Sequence, residues 1–297
     1  MTGRIRDVRI ITGIMVVAGW LAIASVILAG NAPAVPDDLA AITCPEVGGT
    51  VTAPLASDEK KPKDPKKALV GYWKLDEKKG STARDSSGNG NDGTLYGDCV
   101  WQPKAGVLHG ALWLPGGPGQ VDGEYVEGPC VELPIGSLIH QLTNCTIMTW
   151  VNWSGGPSWQ RIFDFGSSTE VNMFLTPMSG YGTGSTEPYE LRFAITTGGG
   201  GAEERVSTTP LPGGWHHVAV AINDDDHITT LYLDGTPVAE NTAMTLTPSH
   251  LDVTSNNWLG RSQYSGDSYY AGSLDDFRIY DQALSEGEIQ AIMAEAN

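Results

Sequence analysis

Residues 85–93 (DSSGNGNDG) concentrate side chains that could hold a hard cation. Ca²⁺ takes roughly six to eight oxygen ligands, and a loop rich in Gly and Asn lets carboxylates and backbone carbonyls converge on one point. Asp85, Asn89 and Asp92 could supply part of such a set, although their spacing is not that of an EF-hand. Because Asp, Ser, Gly and Asn also build ordinary turns, the alternative is a purely structural loop.

Aromatic side chains beside Gly- and Ser-rich segments could stack against the apolar faces of sugars. Those in or beside such segments are Trp153, Trp159, Tyr181, Tyr264, Tyr269 and Tyr270. We predict that Trp159, Tyr269 and Tyr270 contact a ligand. Packing over a sheet edge is the alternative role for each of them.

The sequence contains no arrangement typical of a hydrolase. A retaining glycosidase needs two carboxylates roughly 5–5.5 Å apart, which on a strand requires acidic residues that share one face. No Glu-x-Asp-x-x-Glu run or close variant occurs, and Gly-x-Ser-x-Gly and His-Glu-x-x-His motifs are also missing from the sequence. The chain is therefore predicted to bind rather than to catalyse.

Four cysteines, Cys44, Cys99, Cys130 and Cys145, follow an apolar N-terminal run. An even number of cysteines in an exported chain predicts disulfides, and their spacing does not suggest a zinc site. Several pairings are open. Cys130 with Cys99 or with Cys145 is preferred because those strands are expected to be neighbours, and buried free thiols are the alternative.

Residues 1–30 predict a membrane anchor or a signal segment. Arg4, Arg6 and Arg9 precede the uncharged residues 10–30, which as a helix would be roughly 30 Å long and could cross the hydrocarbon core of a bilayer. Basic residues before the run place the N-terminus inside and the remainder outside the cytoplasm. An uncleaved single-pass anchor in the cell envelope is favoured, since signal peptides have shorter apolar regions. Cleavage near residue 31, followed by secretion, is the alternative.

Residues 31–68 are predicted to be a linker or flexible stalk. They are rich in Ala and Pro and end in a charged, Pro-containing stretch that cannot bury apolar area. The whole chain has a formal net charge of −17, which repels nucleic acid and anionic lipid, so neither is an expected partner.

From residue 69 onward, short apolar runs separated by turn residues indicate β-structure. Residues 145–153 place apolar side chains on both faces, as in a strand that is covered on both sides. An Asp-Gly pair at residues 234–235 predicts a tight hairpin. Ser285 and Glu288 form a capping box that predicts one short C-terminal helix. Residues 69–297 are therefore expected to be an all-β, antiparallel, two-sheet jelly-roll sandwich with that one helix.

Segments in order along the chain resemble the LamG-like jelly-roll domain of the concanavalin A-like lectin/glucanase superfamily. The matching segments are residues 72–77 (YWKLDE), 85–95 (DSSGNGNDGTL), 110–115 (GALWLP), 125–126 (YV), 146–151 (TIMTWV), 215–218 (WHHV), 231–235 (LYLDG), 259–261 (LGR), 272–280 (GSLDDFRIY) and 283–289 (ALSEGEI). The resemblance implies that the first and last strands meet in one sandwich. It also implies a structural Ca²⁺ between the early loop and the last strand, which adds Asp275 or Asp276 as a ligand. Because these two are adjacent, only one can face a given site.

The sequence thus predicts a membrane-tethered or secreted, non-catalytic module outside the cytoplasm that binds carbohydrate or a cell-surface protein and carries a structural Ca²⁺. One alternative is a structural envelope protein without a soluble ligand. A glycoside hydrolase with an unfamiliar site is a less favoured alternative.

Overall fold

The computed structural model describes residues 12–17, 20–25, 64–180, 186 and 188–295. The chain divides into two compact units, Met1–Asp58 and Glu59–Asn297. The predicted boundaries at residues 30/31 and 68/69 stay predictions, and most of the predicted stalk, with Cys44, lies outside the described residues.

The first unit contains two antiparallel strands, β1 (Thr12–Val17) and β2 (Trp20–Ser25), with Val17 paired to Trp20. Ile and Val are common in this run, and β-branched residues favour strands. The helix predicted across residues 10–30 is therefore not confirmed where the backbone is described. Within the described residues, no helix is long and apolar enough to cross a membrane.

The second unit is an antiparallel sandwich of two eight-stranded sheets. Its strands are β3 (Leu69–Trp73), β4 (Thr82–Ala83), β5 (Gly93–Tyr96), β6 (Val100–Gln102), β7 (Ala111–Gly117), β8 (Gln120–Val121), β9 (Glu124–Tyr125), β10 (Cys130–Glu132), β11 (Cys145–Trp153), β12 (Phe163–Gly166), β13 (Asn172–Thr176), β14 (Leu191–Thr196), β15 (Glu204–Thr208), β16 (Trp215–Asn223), β17 (Ile228–Leu233), β18 (Thr236–Asn241), β19 (Asn256–Leu259) and β20 (Tyr269–Tyr280). The α-helices are α1 (Pro65–Ala68), α2 (Gly136–Ile139) and α3 (Glu286–Ala294), and 3₁₀ turns occur at Gly200–Ala202 and Pro248–Leu251.

Sheet I has the strand order β15-β14-β13-β12-β19-β10-β5-β4. Sheet II has the order β18-β17-β16-β11-β20-β7-β6, with β3 also paired to β20. Outside the two sheets, β8 and β9 form a small hairpin. The predicted two-sheet sandwich with a short C-terminal helix is thus confirmed for the described residues.

The first and last strands of the sandwich lie side by side. Phe277 of β20 is paired with Trp73 of β3, and their ring centroids are 5.9 Å apart. Across the sandwich, Phe277 also packs against Phe163 of β12 at 6.0 Å, and all three residues are buried. Truncating one such aromatic residue to Ala costs roughly 3–5 kcal/mol of folding free energy, so this contact between the first and last strands of the sandwich contributes substantially to stability.

The local sequence signals produce the expected turns. Asp234 and Gly235 both have positive φ (51° and 75°), as a tight two-residue hairpin turn between β17 and β18 requires. Ser285 caps α3, and Glu288 completes the capping box. Ile289 and Ile292 then bury one face of α3 against the outer surface of sheet II, next to Tyr280. Sheet II is therefore covered on this outer side.

Candidate functional site

The carboxylate of Asp85 organises loop 85–93 through backbone hydrogen bonds. Its Oδ1 accepts from the N–H groups of Tyr72 (3.2 Å) and Ser87 (2.8 Å), and its Oδ2 accepts from that of Asn91 (2.9 Å). Burial raises the pKa of this carboxyl, but the hydrogen bonds from Ser87, Asn91 and Tyr72 outweigh burial and the pKa is lowered. Both oxygens are therefore occupied by protein donors while the group stays ionised.

The other two predicted ligands in this loop also serve the loop itself. Asp92 Oδ1 accepts from the N–H of Asp85 at 2.8 Å, and Asn89 Nδ2 donates to the carbonyl of Val70 at 3.0 Å. Among the residues that the structure describes, no three His, Cys, Asp or Glu side chains gather in a group that could hold a metal. Asp85, Asn89 and Asp92 thus all form hydrogen bonds to neighbouring backbone groups, and a Ca²⁺ at loop 85–93 stays a prediction.

A bulge in β20 gives the two aspartates of the last strand different partners. The register against β11 shifts between Met148 and Trp150, and Asp276 has φ 57°. Asp276 Oδ2 lies 2.9 Å from Nε of Arg278. Because a bulge redirects side chains locally, Asp275 next to it faces another part of the protein.

Asp275 is buried under residues 105–110. Its Oδ2 accepts from the N–H of Leu108 at 2.8 Å, whereas its Oδ1 is buried without a hydrogen-bond partner. A Cβ atom on Gly106 would overlap the carbonyl oxygen of Gly110 and lie 2.7 Å from Oδ2 of Asp275. Only glycine allows the loop to approach the carboxylate this closely.

The electrostatics of Asp275 are opposite to those of Asp85. Burial, together with the negative charges of Asp276 and Asp76, raises the pKa of Asp275 to about 7, although the backbone N–H groups of Leu108 and Val107 oppose this shift. Asp76 lies beside the same loop, since a Cβ on Gly110 would be 2.8 Å from its Cα.

Among the predicted ligands, Asp275 keeps one oxygen free for a hard cation, and carboxylate oxygens are ligands that Ca²⁺ prefers. As at loop 85–93, no group of three His, Cys, Asp or Glu side chains surrounds it among the described residues. Oδ1 of Asp275 is buried without a hydrogen-bond partner, which costs free energy, and a bound cation would remove this cost. Asp76 and residues 105–110 were not predicted as part of a site, because no local spacing connects them to the last strand.

The disulfide prediction is not supported. Cys99, Cys130 and Cys145 are free thiols in the described part of the chain. Cys145 is fully buried in the core between the sheets. The thiol of Cys99 instead faces the carbonyl oxygens of Tyr96 (3.2 Å) and Cys130 (3.7 Å), while burial raises the pKa of Cys130, whose thiol also bonds to Arg261.

The three preferred aromatic candidates have three different locations. Tyr270 is 0 % exposed and belongs to the hydrophobic core, so the prediction that it contacts a ligand was wrong. Tyr269 is 3 % exposed, and its hydroxyl bonds to that of Tyr125 at 2.8 Å. Trp159 is half-buried and lines a small cavity of about 200 Å³. Tyr181, also in a Gly-rich loop, lies outside the described residues.

A larger, open cleft of about 420 Å³ adjoins the Trp159 cavity. One wall is the β8–β9 hairpin, with Tyr125 exposed over 47 % of its surface. Trp258 of β19 and the segment after it, including Tyr264 and Tyr269, complete the aromatic lining. Tyr264 and Asp267 line both the cleft and the Trp159 cavity, so the two cavities are neighbours that share part of their lining.

A guanidinium and several polar groups complete the cleft. Arg261 lies over the Trp258 ring at 3.9 Å from its centroid and 5.2 Å from that of Tyr125. Asn256 Nδ2 donates to Gln263 Oε1 at 3.1 Å, which fixes both amides at the cleft surface. Tyr125, Trp258 and Arg261 were missed by sequence reasoning, because Trp258 lies in a strand pattern and Tyr125 in a two-residue strand.

The carboxylate in the cleft is held by a buried arginine. Asp267 Oδ2 lies 3.1 Å from Nη2 of Arg161 and accepts from the hydroxyl of Ser262 at 2.8 Å. Arg161 also pairs with Asp164 at 3.3 Å. Burial raises the pKa of Asp164 to about 6 despite this pairing. Through Arg161, these contacts connect Asp267 in the cleft wall to Asp164 of β12 in sheet I.

Comparison with known families decides the classification of this fold. Residues 127–290 match the Laminin_G_3 model of the concanavalin A-like lectin/glucanases superfamily, which is more than half of the chain. The chain belongs to this superfamily. The resemblance identified from the sequence is thereby confirmed.

Solved structures similar to this superfamily member share its fold at low identity. Domain 4 of AbnA, a GH43 extracellular arabinanase from Geobacillus stearothermophilus, in complex with arabinotriose, is 18 % identical with a TM-score of 0.54, over 76 % of this chain and 98 % of that one. The binding domain of botulinum neurotoxin DC, in complex with rat synaptotagmin II, is 14 % identical with a TM-score of 0.59. That match covers 79 % of this chain but 53 % of the neurotoxin domain. No curated protein sequence matches the chain.

Proposed function

We propose that this protein is an extracytoplasmic carbohydrate-binding module whose ligand lies in the cleft of Tyr125, Trp258, Arg261 and Tyr264. The observation that carries the proposal is the open cleft of about 420 Å³ lined by aromatic rings and by amide and hydroxyl groups. Ligand sites commonly measure roughly 300–1,000 Å³ and combine apolar walls with a few fixed polar groups. Sugars present both kinds of surface.

The cleft is suited to stacking because its rings are fixed in advance. The hydroxyls of Tyr125 and Tyr269 bond at 2.8 Å, and that of Tyr269 also donates to the carbonyl of Val126 at 3.0 Å. Gln120 on the same hairpin donates to Ser265 Oγ at 2.9 Å. A ring already held in position loses little conformational entropy when a sugar packs on it.

Binding without hydrolysis agrees with the charges in the cleft. Among its described lining residues, Asp267 is the one carboxylate, and it pairs with Arg161. A glycosidase needs two carboxylates beside the scissile bond. A solved domain of the same fold is in complex with arabinotriose, so this architecture can hold a saccharide, while the choice of site rests on the cleft residues.

A glycan array followed by titration calorimetry tests the site. Tyr125→Ala should weaken binding of the best array ligand by roughly ten- to a hundredfold, since an aromatic contact of this kind contributes on the order of 1–3 kcal/mol. Tyr189→Ala is the matched control, because Tyr189 is exposed over 44 % of its surface but does not line the cleft. Equal losses in both variants would contradict the cleft site. An array without ligands, combined with specific capture of a surface protein, would favour a protein ligand.

A structural Ca²⁺ at Asp275 forms the second part of the proposal. Asp275 and Asp76 would hold the ion together with backbone carbonyls of residues 105–110. The support is the buried, unpartnered Oδ1 of Asp275 and the close approach of Gly106. The ion would neutralise a buried carboxylate and connect β20 to the loop before β7.

The location outside the cytoplasm rests on the sequence of residues 1–30. Three arginines followed by an apolar run favour export with the sandwich on the outer side, either tethered or cleaved. Protease treatment of intact cells, compared with lysed cells, tests this location. Protection of the sandwich in intact cells would contradict it.

A further inference from the structure

Arg261 differs from the buried arginines of the sandwich in having no acidic partner among the residues that the structure describes. Arg161 pairs with Asp164 and Asp267, and Arg278 pairs with Asp276. Arg261 is half-buried in the cleft and forms no ion pair with any described residue. Because this charge is only partly solvated, a carboxylate placed beside the guanidinium would bind favourably.

The guanidinium of Arg261 is also held in place. It stacks on Trp258 at 3.9 Å and lies 5.2 Å from the centroid of the Tyr125 ring, and it bonds to the thiol of Cys130. Stacking on aromatic rings leaves the planar edge of an arginine available to a carboxylate. A two-pronged contact with a carboxylate is stronger than a neutral hydrogen bond.

The carboxylate already in the cleft does not serve as this partner. Asp267 is bound to Arg161 and Ser262, and Arg261 is the one cation among the described lining residues. The cleft therefore presents a single uncompensated positive charge next to the exposed ring of Tyr125.

We infer that the cleft selects a sugar that bears a carboxylate, with the carboxylate on Arg261 and the ring of the sugar on Tyr125. This inference rests on the proposed function, because it specifies the ligand of the same cleft. The expected ligand contains one acidic sugar within an otherwise neutral glycan. A polyanion is disfavoured because the chain carries a formal net charge of −17, whereas one local contact acts well within the screening length of about 8 Å at physiological salt.

Two matched saccharide pairs test the inference: sialyllactose against lactose, and glucuronoxylotriose against xylotriose. Affinities are measured by titration calorimetry at physiological salt with the wild-type protein. At least one acidic member should bind about tenfold or more tightly than its neutral counterpart. Arg261→Gln should reduce that preference to less than about twofold, because the acidic saccharide loses more affinity than the neutral one.

Two further variants serve as controls. Arg84→Gln removes an equal charge from an exposed residue outside the cleft and should keep the preference. Arg261→Lys retains the charge without the planar guanidinium and should keep part of the preference for the acidic saccharide. Such an intermediate result would show that the loss in Arg261→Gln is not a folding defect. Melting temperatures are compared for all variants.

The possible failures are distinguishable. If both members of each pair bind equally, or if Arg261→Gln keeps the preference, the inference is wrong while carbohydrate binding in the cleft stands. If Tyr125→Ala leaves all saccharide binding intact, the cleft itself is the wrong site and the inference is lost with it.

Discussion

Two groups of aspartates in the sandwich, both predicted from the sequence as Ca²⁺ ligands, have opposite environments. Asp85 lies in a loop rich in Gly and Asn, and three backbone N–H groups bind its carboxylate. Asp275 lies in a strand, and one of its oxygens is buried without a partner. The pKa of Asp85 is lowered, whereas that of Asp275 is raised to about 7.

The difference shows that composition alone does not identify a cation site. A loop rich in carboxylates can use them to accept hydrogen bonds from nearby backbone N–H groups, as Asp85 and Asp92 do. A single carboxylate with few acidic neighbours can still need a cation when it is buried and its hydrogen bonds are incomplete.

The largest expected effect comes from removing the carboxylate of Asp85. Asp85→Ala should destabilise the sandwich by about 3 kcal/mol, because three N–H groups lose a charged acceptor. Thermal unfolding with and without Ca²⁺ measures this loss, which should be the same in both conditions. Asn89→Ala is the control within the loop and should cost less than about 1 kcal/mol, since Asn89 is exposed. A calcium-dependent loss in Asp85→Ala would place the ion at loop 85–93 instead.

Removal of Ca²⁺ should give the second-largest effect and should distinguish the two groups of aspartates. At a hundredfold excess over its dissociation constant, a bound ion stabilises by about 2.7 kcal/mol, which for a domain of this size is roughly 5–10 °C in melting temperature. Chelation should therefore lower the melting temperature of the wild type but not that of Asp275→Asn. An equal response in both proteins would contradict a site at Asp275.

The pH dependence should give the smallest effect. Because the pKa of Asp275 is about 7 in the folded state and about 4 when unfolded, the folded state binds this proton more tightly. In the absence of Ca²⁺, stability should fall as pH rises from 5 to 7, by roughly 2 kcal/mol from this group. Asp164, with its pKa raised to about 6, contributes in the same direction.

Comparison of the wild type with Asp275→Asn isolates the share of Asp275, since Asp164 is present in both. Denaturant unfolding at several pH values gives the two curves. Parallel curves would show that Asp275 does not titrate in this range.

Features encoded by neighbouring residues could be predicted from the sequence. The Asp234-Gly235 hairpin and the Ser285–Glu288 capping box depend on local backbone conformation and are confirmed. The pairing of Trp73 with Phe277 is distant in sequence, and it was predicted through the family resemblance rather than through any local pattern.

The candidate sites were harder to predict because their parts come from distant segments. Whether an aromatic residue faces core or cleft depends on strand register, and Tyr269 and Tyr270 are neighbours in different environments. The cleft combines the β8–β9 hairpin with β19 and the segment after it. No sequence spacing indicates that these segments meet.

The position of β20 also constrains how the protein is made. This strand pairs with β3, β7 and β11, so none of the three reaches its final partner until the ribosome has added the last part of the sandwich. A nascent chain that stops near residue 268 would expose unpaired edges of strands that readily join other chains. Complete pairing of sheet II is therefore postponed until translation of the domain is nearly finished.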